Sequence, residues 1–299
     1  MDALSRLIRL VHPESSIDVR CLMAGRFSVD HEAAAPWQMP FYVALEGRCT
    51  VTTAAAVVDL APGHLLVLPH GDAHHVRVTS GRELPFEDEQ GAAFTTRRTV
   101  GAEPDHDLFC GHFHFDTAAG MLLFRLLPSL LHVTLNASAL ALAEVLRAEA
   151  AFDGPGTSAI VSSVCDALLA MALRSRPEQR LRMPALGTAM GDDVLGEVIA
   201  GVVERPREPW TIERMAAAAS MSRATFVRRF TARTGGTVST LLTTVRMMIA
   251  ADLLANSDRF VVRIAGEVGY RSESAFVEAF RAAVGTSPAR FRKNSMTRE

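Results

Sequence analysis

The sequence predicts an α+β protein with an N-terminal antiparallel β-barrel, a helical connector, and a C-terminal all-α domain that contains two helix-turn-helix units. Three observations predict this arrangement. Short Val-, Thr- and Phe-containing runs broken by Gly, Pro and Asp fill residues 20–116, amphipathic helical patterns follow, and a helical pattern occurs twice in the last third. The length of 299 residues fits two domains of roughly 150. We expect boundaries at residues 1–120, 121–190 and 195–295.

Composition predicts a folded, soluble chain. The apolar share is 48% and aromatic residues make up 6%, which excludes wholesale disorder. The longest nearly uncharged stretches, such as residues 167–173, fall short of the roughly 20 residues that cross a bilayer. Four cysteines occur singly, without zinc-finger spacing, so a disulfide scaffold is not expected. We therefore expect a cytoplasmic protein with no membrane partner.

The barrel is predicted from strand-like runs between residues 41 and 78. These runs are short, rich in β-branched or aromatic residues, and separated by turn residues, as in small antiparallel barrels. They lie at residues 41–45, 50–53, 57–60, 65–68 and 76–78.

The connector is predicted as two amphipathic helices, residues 139–149 and 158–173. Their apolar positions exceed what a barrel needs for its own packing, so we expect a homodimer. A linker with two prolines and two glycines is expected from Arg174 to Asp193.

The last third contains an internal repeat with an offset of 50 residues. Trp210 and Ile212 correspond to Phe260 and Val262 in the second copy. The strongest matches are Ser222, Phe226, Phe230 and Gly235, which recur as Ser272, Phe276, Phe280 and Gly285.

Each copy has the pattern helix, tight turn, helix. In the first copy, Thr211 and Ser222 are placed to cap the two helices, and Phe226 and Phe230 lie one turn apart on a core face. Residues 200–299 carry 16 basic and 9 acidic side chains, whereas residues 1–199 carry 15 and 24. A basic segment with paired helix-turn-helix units predicts DNA binding. The alternative is an all-helical protein-interaction or dimerisation domain.

This segment resembles the AraC/XylS-type DNA-binding domain over about 85 residues. Two positions depart from the family pattern: Val238 replaces a usual proline, and Glu278 replaces a usual basic residue on the second recognition helix. The resemblance rests on Trp210, Thr211, Ile212, Glu213, Met215, Ala216, Met221, Ser222, Phe226, Arg228, Phe230, Arg246, Ala250, Leu254, Ile264, Ala265, Gly269, Tyr270, Ser272, Phe276, Phe280, Gly285, Ser287, Pro288, Phe291 and Arg292.

The resemblance implies that two recognition helices approach promoter DNA and that RNA polymerase is a partner. Arg223 and Arg228 could pair with guanine, and Glu278 could accept from cytosine N4. For each arginine the alternative is a phosphate contact or a solvated charge. The candidate DNA-binding residues are Arg223, Ala224, Thr225, Val227, Arg228, Arg229, Glu273, Ser274, Ala275 and Glu278.

The N-terminal half resembles the cupin barrels. Gly63, Pro69, Gly71 and His74 follow the order of the second cupin motif, in which the histidine faces the barrel interior. The first motif lacks its usual metal-binding residues, because Pro40, Pro36 and Ala34 occupy those positions. We therefore expect no enzyme and no required cofactor.

Three histidines remain as candidate ligands for a divalent metal: His74, His112 and His114. The alternative is that they are hydrogen-bonded residues of the barrel wall. A rival function for the whole chain is accordingly a cupin-type metalloenzyme with a helical interaction domain.

The whole layout resembles the AraC-family branch whose sensor is a cupin-like domain. The start from Met1 to Leu7, with Cys21 and the Cys110–Gly111 step, is similar to regulators that respond to reactive chlorine species through cysteine oxidation. A thiol can sense an oxidant when it is partly exposed and nearby positive charge favours its thiolate. The alternatives are a small effector bound in the barrel, or two structural thiols.

Overall fold

The computed structural model of the chain describes residues 3–115, 117–124, 126–174 and 192–295. Residues 175–191, which make up most of the predicted linker, lie outside the described residues. The chain divides into two compact units. The barrel unit contains residues 13–114 and 129–174, and the helical unit contains residues 3–12, 117–124 and 192–295.

The barrel unit is built from two β-sheets. One has the strand order β11-β6-β3-β10-β1-β9-β8, and the other has the order β2-β7-β4-β5. Pairing is antiparallel except between β1 and β9, which run parallel. The strands are β1 (Glu14–Met23), β2 (Phe27–His31), β3 (Gln38–Glu46), β4 (Cys49–Thr53), β5 (Val57–Leu60), β6 (His64–Val67), β7 (His74–Val78), β8 (Phe86–Gln90), β9 (Thr95–Thr99), β10 (His106–His114) and β11 (Leu131–Thr134).

The helices are numbered in chain order through both units. They are α1 (Ala3–Val11), α2 (Ala118–Phe124), α3 (Ala137–Phe152), α4 (Thr157–Arg174), α5 (Asp193–Glu204), α6 (Ile212–Ala218), α7 (Arg223–Thr234), α8 (Val238–Ala255), α9 (Val261–Glu267), α10 (Glu273–Val284) and α11 (Pro288–Ser295). Helices α3 and α4 belong to the barrel unit, and the others belong to the helical unit.

The barrel core follows from residue alternation along the strands. In β7, buried and exposed residues alternate with period two, so one face packs inward. Phe41, Phe109 and Phe113 are fully buried on β3 and β10. The five predicted strands coincide with β3–β7, and the antiparallel β-rich fold is confirmed. At Gly47 (φ +72°) a Cβ would lie 2.3 Å from the His106 ring, so this turn requires glycine.

Strands β1 and β10 pair along almost their whole length. Val19 is registered with Cys110, and Cys21 with Leu108, so the two cysteines are diagonal neighbours on adjacent strands. The register shifts between Ile17 and Val19 of β1, which marks a β-bulge.

Helices α3 and α4 form a hairpin beside the barrel. Asn136 caps α3 by accepting from the Ala139 amide, and α4 packs against α3 and β1. Ser15 Oγ on β1 donates to Asp166 Oδ1 of α4 at 2.6 Å. These contacts anchor the hairpin to the strand that carries Cys21.

Two helices, α4 and α8, are long and apolar enough to cross a membrane by length and composition alone. This corrects the expectation that no stretch of the chain approaches that length. Both have a buried side: Val161, Leu168 and Leu169 in α4, and Val245 and Met248 in α8, are almost fully inaccessible. A core helix of a globular protein meets the same criteria.

The helical unit confirms the predicted pair of helix-turn-helix motifs. Thr211, Ser222 and Ser272 cap α6, α7 and α10, as predicted for the first two. Gly235 and Gly285 end α7 and α10 in the left-handed conformation, which explains the repeat of glycine at 50 residues.

The two copies differ in one respect that the repeat did not predict. Trp210 is 8% exposed and donates from its indole N–H to the Arg205 carbonyl. Its counterpart Phe260 is 78% exposed, and Val262 is 58% exposed, so these two residues are not part of the core.

Helices α1 and α2 pack with the helix-turn-helix motifs. Within the helical unit, α1 contacts α5, α2 and α8, and α2 contacts α8 and the recognition helix α10. By the predicted boundaries α1 lies in the barrel segment and α2 spans the start of the connector, whereas their packing depends on contacts between residues more than 70 positions apart.

Candidate DNA-binding surface and sensor site

The first recognition helix, α7, presents the predicted contact residues on one outward face. Ser222 Oγ accepts from the Thr225 amide and begins the helix, and Phe226 and Phe230 anchor it on the inside. The outer face is formed by the exposed Arg223, Ala224, Thr225 and Arg228 together with the half-buried Val227.

The four arginines of α7 are in different environments, and Arg233 lies 3.6 Å from the Asp192 carboxylate. Arg223 Nε lies 3.0 Å from Glu213 Oε1, and both side chains are exposed. Arg228 is exposed and makes no ion pair or hydrogen bond with any other described residue. Arg228 is therefore the guanidinium of α7 that is most available to a base or a phosphate.

Arg229 has a structural partner instead. Its Nη2 donates to the Asp192 carboxylate at 2.7 and 2.8 Å, and its Nε donates at 3.1 Å. Asp192 caps α5, and its side chain is only 3% exposed. Burial alone would raise the pKa of Asp192, but bonds from Arg229 and from α5 amides lower it. In this arrangement the Arg229 guanidinium is held by Asp192, and its contact with DNA stays a prediction.

The second recognition helix, α10, presents an acidic outward face. Ser272 Oγ accepts from the Ala275 amide, and Phe276 and Phe280 are fully buried. The predicted contact residues Glu273, Ser274, Ala275 and Glu278 are all exposed. Glu278, which departs from the family pattern, therefore places a negative charge at the position of α10 that corresponds to Arg228 of α7.

Helix α8 joins the two motifs through one half-buried arginine. Arg246 donates from Nε to the Pro206 carbonyl at 3.1 Å and from Nη2 to the Glu208 carbonyl at 3.0 Å. Its guanidinium also lies 5.8 Å from the centre of the Tyr270 ring. Because Pro206 and Glu208 precede the first motif and Tyr270 lies in the turn of the second, Arg246 fixes both relative to α8.

The barrel encloses a cavity of about 360 Å³ that both predicted redox cysteines line. A hydrogen bond from the Cys110 thiol lowers the pKa of Cys21, burial opposes this effect, and the positive charge of Arg97 reinforces it. The same bond and burial raise the pKa of Cys110. Arg97 is registered with Cys21 across the β1–β9 pair. Cys21 is therefore the more acidic of the two thiols, and Cys110 is its hydrogen-bond donor.

The other two cysteines are in different surroundings. Burial raises the pKa of Cys49 and of Cys165 to about 12 each. Both thiols are buried and remain protonated near neutral pH.

The predicted metal-ligand histidines are separately engaged. His74 Nδ1 lies 2.7 Å from the Asp72 carbonyl and must donate to it, so Nε2 accepts from the Tyr42 hydroxyl at 2.5 Å. His112 Nδ1 pairs with Asp18 Oδ2 at 2.9 Å. His114 Nδ1 is buried without a hydrogen-bond partner in the part of the chain that is described.

The donor set does not fit a metal centre. Within residues 3–115, 117–124, 126–174 and 192–295, no three His, Cys, Asp or Glu side chains are placed to hold an ion. His74 uses both ring nitrogens for protein contacts, so it acts as a wall residue of the cavity. The structure therefore does not bring His74, His112 and His114 together as the metal site considered from sequence.

Three residues of the cavity were missed by sequence reasoning: Tyr42, His31 and Arg97. The alternation of β3 was a usable signal for Tyr42, because inward positions recur every second residue. Arg97 had no local signal, since its position beside Cys21 depends on a parallel pairing between distant strands.

Comparison with known proteins identifies both parts of the chain. Residues 2–176 match the family described as Cupin, and residues 215–294 match a helix-turn-helix domain family. The first match covers more than half of the chain. The chain belongs to the cupin-domain regulators of the AraC/XylS type.

Relatives resemble this regulator over nearly their full length. The HTH-type transcriptional regulator MtrA of Neisseria gonorrhoeae is 29% identical over 299 residues, which is 98% of each chain. The RCS-specific HTH-type transcriptional activator RclR of Escherichia coli K12 is 28% identical, also over 98% of each chain. An HTH-type transcriptional regulator of Haemophilus influenzae is 29% identical over 98% of this chain and 99% of its own. DNA binding and transcription regulation are therefore the function of this regulator.

Proposed function

We propose that this regulator is a cytoplasmic homodimer that binds promoter DNA, contacts RNA polymerase, and responds to an oxidant through Cys21. The observation that carries the sensing part is the placement of Cys21 and Cys110 as diagonal neighbours on adjacent strands in the wall of one cavity. The name of the relative RclR refers to RCS, which supports an oxidant as the signal.

The chemistry needs two thiols and one oxidant. Hypochlorous acid transfers its chlorine to the Cys21 thiolate, and hydrolysis gives a sulfenic acid and chloride. The Cys110 thiol then attacks the Cys21 sulfur, so a disulfide forms and water leaves. The oxidant gains the two electrons that the thiols lose. Because the two residues are diagonal neighbours on paired strands, the second step joins side chains that already lie side by side.

The chain path connects this site to the DNA-binding helices. Strand β1, which carries Cys21, begins three residues after α1 ends, and β10, which carries Cys110, ends four residues before α2 begins. Helices α1 and α2 both pack against α8, and α2 also contacts α10. A change in the pairing of β1 and β10 would therefore reach α1 and α2 through two short chain connections, and from there it would reach α8 through packing.

The DNA interface is proposed to be asymmetric. Arg228 and Arg223 on α7 would supply base or phosphate contacts, and the acidic face of α10 would contribute less phosphate affinity. In this arrangement α7 dominates affinity, and Glu278 selects against phosphate contacts or accepts from a cytosine amino group.

The homodimer is proposed to form through α3 and α4. Leu140, Val145, Phe152 and Ile160 are exposed on these two adjacent helices. Exposed apolar surface of this kind is typical of a protein–protein interface. Replacing Leu140 and Ile160 by aspartate should convert the dimer to a monomer in sedimentation equilibrium, while a dimer that persists would assign contact to another face.

Footprinting of the promoter beside its own coding region, with and without hypochlorite, tests the sensing proposal. Wild type should change its protection pattern on oxidation, and Cys21→Ser should not. The Cys110→Ser variant should respond more weakly, because the sulfenic acid on Cys21 then has no neighbouring thiol with which to form a disulfide. Cys49→Ser is the matched control and should respond as wild type does. An unchanged response in Cys21→Ser would contradict thiol sensing while leaving DNA binding intact.

A further inference from the structure

The barrel cavity is larger than a small oxidant requires. Its volume of about 360 Å³ equals that of about a dozen water molecules at roughly 30 Å³ each. Small-molecule sites in proteins have volumes of about 300–1,000 Å³. A cavity built only to expose a thiol to hypochlorous acid would need space for two heavy atoms. This cavity has room for an organic ring.

The walls of the cavity are apolar and partly flat. The His31 ring stacks on the His74 ring with centroids 4.7 Å apart and an angle of 9° between the planes. Phe27, Val76 and Leu108 line the same space. Flat aromatic surfaces favour a planar ligand that stacks on them.

Among the polar residues that line the cavity, His31 has an uncommitted side chain. Burial, helped by the neighbouring His74 and Arg97, lowers the pKa of His31, so its ring is neutral near pH 7 and carries one N–H donor. Among the described residues no hydrogen bond involves the His31 side chain, whereas His74 has both nitrogens bonded. His31 is therefore able to donate to a ligand oxygen.

We propose that the cavity binds a planar α,β-unsaturated carbonyl compound of the quinone class, and that Cys21 adds to it covalently. The inference rests on the proposed function, because it uses the same thiol as the signalling group. An open face of the stacked His31–His74 pair would orient the ring, and the His31 N–H would polarise a carbonyl. Cys21 lies in the same wall, diagonal to Cys110 on the adjacent strand.

The step balances without an added oxidant. The Cys21 sulfur forms a bond to the ring carbon conjugated to the carbonyl, and the π pair of the C=C bond moves to the carbonyl oxygen. The attacked carbon releases its hydrogen as a proton, and both oxygens end protonated. The product is a hydroquinone thioether, in which the quinone is reduced and the sulfur is alkylated.

The test uses the full-length protein and p-benzoquinone. Intact mass and peptide mapping should show one added quinone, on Cys21. The Cys21→Ser variant should lose this adduct, and Cys49→Ser, the matched control, should keep it. His31→Phe retains a stacking ring without the donor, so the adduct should form about two- to tenfold more slowly. Cyclohexane-1,4-dione, which has the carbonyls but no conjugated C=C bond, should compete and slow the reaction.

Two results would overturn the inference. One is a quinone distributed over several cysteines of the wild-type chain. The other is a rate at Cys21 that neither His31→Phe nor the dione changes. Hypochlorite-dependent footprinting on untreated portions of the same wild-type protein separates the two proposals. If the wild type responds to hypochlorite but forms no quinone adduct, the ligand is rejected and oxidant sensing is retained. If the wild type neither responds to hypochlorite nor forms the adduct, Cys21 is rejected as the sensor.

Discussion

Replacing Arg228 by alanine tests how α7 reads DNA. The side chain is exposed and, within the described part of the chain, bonds to no other residue. Its removal breaks no contact of the folded unit, so the free energy of unfolding should change by no more than about 0.5 kcal/mol. Any loss of operator affinity then belongs to the contact with DNA.

The expected loss depends on what the guanidinium contacts. A bidentate pair with guanine is worth about 1–3 kcal/mol, and tenfold in Kd corresponds to about 1.4 kcal/mol, so operator affinity should fall about five- to 150-fold. Specificity should relax at one base pair. A phosphate contact would instead weaken all sequences alike and reduce the salt slope by about 1.

Arg229→Ala is the matched control on the same helix. It removes three hydrogen bonds to the buried Asp192 carboxylate, which caps α5. A charge-assisted hydrogen bond contributes about 1.5–3 kcal/mol, and the partial exposure of Arg229 reduces this, so we expect a loss of stability of about 1–2 kcal/mol. Operator affinity should stay unchanged wherever the variant is folded.

The assay is fluorescence anisotropy on operator and scrambled duplexes between about 50 and 200 mM salt, the range in which phosphate contacts have a large effect. Thermal unfolding followed by circular dichroism gives the stability of each variant. The assignment is refuted if Arg228→Ala lowers Tm as much as Arg229→Ala does. It is also refuted if Arg229→Ala weakens operator binding at an unchanged Tm.

Three further predictions follow from the same contacts. Glu278→Arg should tighten binding to non-specific duplex and raise the salt slope by roughly 1, and an unchanged slope would show that α10 does not approach the backbone. Arg246→Ala should destabilise the helical unit by about 2 kcal/mol or more, because two loop carbonyls, including that of Pro206, lose a charged donor; an unaltered Tm would contradict this role. The pKa of His112 is raised, mainly by its hydrogen bond to Asp18, so the stability from this pair is fully present below pH 6.5 and is lost as pH rises through the folded-state pKa. In a plot of Tm against pH, the His112→Gln variant should lack this loss of stability above pH 6.5. A plot identical to that of wild type would show that the His112–Asp18 pair is not its cause.

Much of the architecture was predictable because its signals are local. The capping serines, the phenylalanines one turn apart and the terminating glycines of α7 and α10 lie within about a dozen residues of each other. The strands β3–β7 are short runs separated by short connections, so their positions along the chain follow from composition and turn chemistry, whereas their division between two sheets does not. Such features do not require knowledge of distant contacts.

The sensor site could be predicted only in part. Cys21 and Cys110 were identified as residues, but their contact depends on the register of β1 with β10, nearly 90 positions apart. Arg97 reaches Cys21 through the parallel pair of β1 and β9. The hydrogen bonds from Arg229 to Asp192 likewise join residues that are 37 positions apart in the chain. Sequence periodicity carries no information about such long-range registers.

The position of the β-bulge distinguishes the two routes from the thiols to the helical unit. In β1 the register shift lies between Ile17 and Val19, which is between Cys21 and α1. A bulge lets a strand bend locally, so a displacement at Cys21 can be absorbed before it reaches α1.

In β10 the shift in its pairing with β3 lies between Asp107 and Leu108, on the side of Cys110 away from α2. From Cys110 to His114 the pairing of β10 with β3 is regular, and one register step would turn every side chain to the opposite face. Displacement at Cys110 must therefore move this segment as a unit, which makes β10 and α2 the stiffer route to α8 and α10.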